Sequence, residues 1–154
     1  MNVQNNQPTA PFIMMSWAAL AVGLGGFLIG LWNSGIGMEE KGFYFTVMAF
    51  SMFSAVSVQK SVRDRIEGIP VSDMYYGICW FGIILSVLLL VAGLFNATTI
   101  DLSQKGFYAM AYTLCIFASI TVQKNTRDQV KTTMQFPETQ FPVTQAAGLP
   151  SKDS

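Results

Sequence analysis

At 154 residues the chain has room for one domain of ordinary size. Half of it is hydrophobic and only 12% is charged, where a soluble chain averages about 25%. Nine basic and nine acidic residues cancel, so no global field gathers nucleic acid, and the absence of His removes the commonest general base and metal ligand. Cys79 and Cys115 lie in apolar runs without metal spacing, which argues against a zinc site or a disulfide framework and leaves no cofactor to expect.

Residues 1–11 are polar and carry Pro8 and Pro11, the composition of a disordered tail. They lack a basic n-region, and no small-residue cleavage site follows the apolar run, so a cleaved signal peptide is not expected. Phe12 to Trp32 is free of charge, and a helix of that length rises about 31 Å, matching a hydrocarbon core of about 30 Å. This predicts a first transmembrane helix over 12–32, with Trp17 and Trp32 toward its ends. Gly26 and Gly30 form a GxxxG pair, which lets a second helix backbone approach closely. A short turn follows, in which Asn33 is expected to end the helix in the left-handed conformation. Gly37 to Glu40 then reads as an N-cap with acids in the first turn.

A second span is predicted over 42–58, lengthened by the caps before it and by Lys60, whose stem can lie in lipid. Ser51, Ser54, Ala55 and Ser57 give it a small, weakly polar packing face. It leads into QKSVRDRIEGIPVSD at 59–73, where Gly68 and Pro70 stop the helix and Ser72 or Asp73 caps the next. The third span is expected over 74–95, with Gly82, Ser86 and Gly93 on one face, and the fourth over 106–122. From about Lys131 the chain is polar and rich in Thr, Gln and Pro, and 131–154 reads as a disordered tail.

One stretch occurs twice. KGFY…VQKSVRD at 41–64 returns as KGFY…VQKNTRD at 105–128, a shift of 64, and GLWN at 30–33 returns as GLFN at 93–96, a shift of 63. The duplicated unit is therefore a helix, a turn, a second helix and a basic cuff. The two units are expected over 12–66 and 74–130. With two spans each, both units enter the membrane in the same direction, a parallel repeat. The side bearing the cuffs and termini holds Lys60, Arg63, Arg65, Lys124, Arg127, Lys131 and Lys152, against Lys41 and Lys105 on the other. That bias predicts cytoplasmic termini.

The set GLWN, EKGFYF at 40–45, SVQKSVRD at 57–64, EGIP at 67–70, GLFNAT at 93–98, QKGFY at 104–108 and VQKNTRD at 122–128 resembles the YiaA/YiaB family of bacterial inner-membrane proteins. Two units in one chain resemble its longer members. The likeness covers roughly residues 12–130 and implies an all-α inner-membrane protein built from a tandem two-helix domain. It implies no established activity and carries over no catalytic residues.

None of the four spans has an ionisable Asp, Glu, Lys, Arg or His in its core. Such groups mark most ion and proton paths, so a carboxylate-dependent exporter is disfavoured. No nucleophile–base pair, metal set or phosphate loop is evident, and an enzyme is not expected. The candidate contacts with lipid or a partner are the cuffs: Lys60, Arg63, Asp64, Lys124, Arg127 and Asp128. The bland alternative is that they set topology and anchor the helices. The candidate packing residues are Gly26, Gly30, Ser51, Ala55, Gly82 and Ser86. Phe43, Tyr44, Phe107 and Tyr108 are expected to form an aromatic belt at the interface opposite the cuffs. Each cuff aspartate lies four residues after a lysine, spacing that suits an ion pair or a tie between repeats. The sequence thus points to a non-enzymatic interaction or envelope-associated module contacting membrane lipids, anionic headgroups among them, or else a second copy or another membrane protein. The alternative is a small oligomeric transporter or channel, whose solute path would involve Ser51, Ser54 or Thr121.

Overall fold

A computed structural model describes residues 8–135. They form four α-helices: α1 (Ala10–Asn33), α2 (Met38–Ile66), α3 (Asp73–Asn96) and α4 (Leu102–Gln135). All four are long and apolar enough to cross a membrane. The fold is all-α, two helical hairpins in tandem. The expected terminal tails fall mostly outside the described residues.

Local chemistry explains the helix ends. Pro11 sits in the first turn of α1, where its missing N–H costs nothing. Ser72 caps α3, its hydroxyl accepting from the Tyr75 N–H at 3.3 Å. Asp101 and Gln104 form a reciprocal capping box on α4: the Asp101 carboxylate accepts from the Gln104 N–H at 2.7 Å, and the Gln104 side-chain oxygen accepts from the Asp101 N–H at 3.3 Å.

Asn33 departs from expectation. Among the described residues only Gly68 has a positive φ, so Asn33 does not close α1 in the left-handed conformation. Its amide instead donates back to the Ile29 carbonyl, as that of Asn96 does to Ala92, both at 2.8 Å. The chain leaves α1 through an extended Ser34. Lys41 reaches back to the Trp32 carbonyl at 3.0 Å, placing a cation at the negative end of α1.

The two cuff helices end differently. At Gly68, φ +74°, α2 closes in a Schellman motif: the Ile69 N–H donates to Asp64 and the Gly68 N–H to Arg65. The corresponding position in the second unit is Thr132. Without a glycine there, α4 runs on to Gln135, beyond the boundary near residue 130 that composition suggests.

Within each unit the two helices are joined by connection more than by packing. α1 packs chiefly against α4 and α2 chiefly against α3, while α2 and α4 pack against each other and α1 barely touches α2. Each first helix therefore lies on the second helix of the other unit, around a central α2–α4 pair. The buried residues of α1 (Ser16, Gly23, Phe27, Leu31) and of α3 (Cys79, Gly82, Ser86, Leu90, Leu94) recur every three to seven positions. That is a single stripe on each outer helix, and the remaining apolar surface faces lipid. The core runs along the shared seam: Phe27, Met48, Leu90, Tyr108, Tyr112 and Cys115.

Candidate functional site

At the end opposite the cuffs, the two repeated motifs interlock across the repeats. A Cβ added to Gly30 would lie 2.7 Å from the Phe107 ring, and one added to Gly93 would lie 2.6 Å from the Phe43 ring. Each glycine of a GL(W/F)N turn thus makes room for the KGFY aromatic of the other unit. Tyr108 donates to the Gly30 carbonyl at 2.9 Å. Tyr44 and Tyr108 are 2% and 3% exposed and stack on each other, ring centroids 6.2 Å apart and 9° from parallel. The expected aromatic belt is therefore corrected. The phenylalanines do meet the surroundings, but the tyrosines are core residues at the centre of the pseudo-twofold arrangement. Only burial against the other repeat distinguishes the two roles, and spacing along one helix does not report it.

Midway through the membrane the repeats differ in polarity. Ser51 and Ser86 are fully buried. Their hydroxyls donate to carbonyls of their own helices, Val47 at 2.7 Å and Ile83 at 2.8 Å. Each keeps lone pairs to accept with, and the Tyr112 hydroxyl lies between them, close to Ser51 and 3.4 Å from Ser86. With both serine protons committed to carbonyls of their own helices, the single Tyr112 proton is shared between the Ser51 and Ser86 oxygens. The equivalent positions in the other half are Cys115, Gly23 and Met48. There α1 comes close to its neighbour: a Cβ on Gly23 would lie 3.2 Å from both the backbone N and the Sγ of Cys115. Ala55 is buried, and a Cβ on Gly82 would meet the Ser54 Oγ at 2.8 Å. Gly30 makes a close approach, whereas Gly26 has only ordinary contact, 3.7 Å from Phe107. Gly23, which the GxxxG reading passes over, is the tighter partner of Gly30.

At the other end, the α2–α4 contact brings the two cuffs side by side. Arg127 pairs across the repeats with Glu67, and Arg63 pairs with Asp64 at 3.1 Å and with Glu67 at 3.7 Å. Asp64 is thus engaged by its neighbour Arg63 rather than by Lys60. One tie between the repeats runs through Glu67, a residue unique to the first unit. Lys60 and Lys124 are exposed, while Arg63, Asp64, Arg127 and Asp128 are partly buried. Below the cuffs Asn125 is buried and donates to the Ser16 hydroxyl at 3.0 Å, a further clamp of α4 onto α1. The linker is held by an Arg65–Asp73 ion pair, with the Arg65 guanidinium 4.0 Å from the centre of the Tyr76 ring.

Between α2, α3 and α4, directly beneath the cuffs, a crevice of about 670 Å³ opens to the surroundings. Its walls are apolar, with Val58, Val62, Trp80, Ile83, Ile116 and Ile120 among them. Its rim carries Gln59, Arg63, Glu67, Lys124, Arg127 and Asp128. Four of the six candidate contact residues therefore border one cavity, and Lys60 and Asp64 lie outside it. Ile120 has no signal of its own in the sequence, whereas Gln59 lies in the repeated VQK motif and Glu67 in the EGIP stretch. Among the described residues no group of His, Cys, Asp and Glu could hold a metal ion.

The model of the yiaA/B two helix domain matches the chain twice, over residues 12–64 and 75–128. The chain is also similar to the inner membrane protein YiaA of Escherichia coli (strain K12). The two are 50% identical over 117 residues, which span 76% of this chain and 80% of that protein. No solved structure matches. Two domain matches, four spanning helices and motifs that interlock from one unit to the other lead to one conclusion: the chain belongs to the YiaA/B family, with its two-helix domain present in two copies.

Proposed function

We propose that the protein is a non-enzymatic module of the inner membrane whose paired cuffs face the cytoplasm and engage anionic lipid headgroups. The observation that carries this reading is the juxtaposition of the cuffs. Packing of α2 on α4 gathers Lys60, Arg63, Lys124 and Arg127 at one end of the molecule, with the two lysines exposed. Basic residues close to an anionic leaflet each contribute about 1 kcal/mol of attraction. The excess of Lys and Arg on the cuff side supports the cytoplasmic orientation, and the E. coli relative is itself an inner membrane protein. A solute path has less support, since Ser51 and Ser54 are buried in helix contacts and Thr121 donates to the Phe117 carbonyl.

The test replaces Lys60, Arg63, Lys124 and Arg127 together with Gln. In polymer-bounded membrane discs, the fraction of phosphatidylglycerol that co-purifies should fall while the unfolding midpoint stays close to that of the parent. An unchanged fraction rejects the headgroup reading. A reporter fused after Ser154 should read as cytoplasmic, and a periplasmic signal rejects the orientation.

A further inference from the structure

The crevice beneath the cuffs has a form that surface attraction alone does not require. We propose that it is a binding site for one membrane phospholipid, with an acyl chain between α2, α3 and α4 and the phosphate at the cationic rim. This rests on the cuff reading above and names the ligand of that same end of the molecule.

Three observations point to this occupant. First, the cavity is polarised along the helix axes, with Ala55, Ile83, Ile116 and Ile120 away from the cuffs and charged residues only at the cuff end. A phospholipid has the same polarity. A second copy of the chain would meet the rim with cuffs of its own charge. Secondly, Arg63, Lys124 and Arg127 set against Glu67 and Asp128 leave the rim with a net charge of +1, from three positive and two negative groups. One phosphodiester has the complementary charge. Thirdly, the rim's hydrogen bonding is unsaturated. Gln59 Oε1 and Arg63 Nε are buried and make no hydrogen bond within the protein, Nε standing 3.7 Å from the Glu67 carboxylate as an ion pair, although buried polar groups normally find partners. Rotation about their terminal torsions would offer a donor to the phosphate and an acceptor to a headgroup hydroxyl or ammonium. At about 670 Å³ the cavity lies within the ~300–1,000 Å³ common for ligand pockets.

The experiment uses the full chain, reconstituted in equimolar phosphatidylethanolamine and phosphatidylglycerol, extracted in mild detergent and weighed by native mass spectrometry. The expected result is a monomer that retains one phospholipid. Ile120→Trp, which fills the crevice but leaves every cation in place, should lose the retained lipid while keeping the phosphatidylglycerol enrichment around the protein. Should that variant unfold, Ile83→Phe fills the same space from α3. Lys124→Gln should weaken retention about fivefold, the equivalent of one interfacial charge. Equal retention by the parent and both filled variants overturns the proposal, as does a parent that retains none. A dimer dispersed by Ile120→Trp also overturns it and makes the crevice an interface between copies. If retention behaves as expected but the four-Gln variant keeps its lipid enrichment, the surface reading fails and the crevice stands.

Discussion

Tyr112 shows what one hydroxyl does in this membrane core. It joins the hydroxyls of Ser51 on α2 and Ser86 on α3, so a single side chain of α4 touches polar groups of two other helices. Lipid tails compete for apolar contacts but offer no acceptor, so such a bond favours one helix arrangement over others. Tyr112→Phe keeps the ring and removes only the donor. It should lower stability by about 0.6–2 kcal/mol, the range found for hydrogen bonds between membrane helices. Unfolding in detergent micelles checks this, with Ser51→Ala as the second arm of a double-mutant cycle. Additive effects of the two substitutions would show that the Ser51–Tyr112 bond contributes nothing. Ser51 and Ser86 read in the sequence as small packing residues, and both are fully buried. The tyrosine between them carries no such signal, because Met48 occupies its place in the other unit.

At the scale of elements, near-identical cuffs end in opposite ways because of one residue. α2 must turn into the linker, and Gly68 supplies the left-handed conformation that closes it. α4 has threonine in place of that glycine and continues. Gly68→Ala should destabilise the protein by about 1–2 kcal/mol, since an L-residue resists that conformation, seen as a lower unfolding midpoint in micelles. Thr132→Ala, at the equivalent place in α4, should leave the midpoint unchanged. Equal effects would show that the Schellman closure is not needed. Helix ends of this kind are legible in the sequence: Gly68 with Pro70, Ser72, and the Asp101–Gln104 box all act as their chemistry dictates. Asn33 is not, because Asn serves equally well in a left-handed cap or in a side-chain bond to the preceding turn. Nothing in GLWN itself selects between the two.

The whole molecule turns on which helix lies beside which, and here sequence reasoning meets its physical limit. Four apolar spans in lipid have no hydrophobic preference for one another, and a glycine marks a place for close approach without naming the partner. The repeat and the hairpin connections are readable; the exchange that sets α1 on α4 and α3 on α2 is not. It has a direct test in the native Cys115. The Cβ position of residue 23 lies 3.2 Å from the Cys115 Sγ, close enough for a disulfide to form with small side-chain adjustment. Gly23→Cys in a Cys79→Ala background should therefore cross-link to Cys115 under mild oxidation. With a protease site placed between Gly68 and Ser72, cleavage separates α1–α2 from α3–α4. In denaturing detergent the fragments should stay together until reductant is added, whereas Gly25→Cys, at a position with open space around it, should release them at once. If α1 packed on α2 as a self-contained hairpin, the thiol introduced at position 23 would be distant from α4 and the fragments would part without reductant. The same exchange places α2 beside α4 and so gathers both cuffs around one crevice. A failed cross-link would therefore remove the structural basis for reading the cuffs as a single surface.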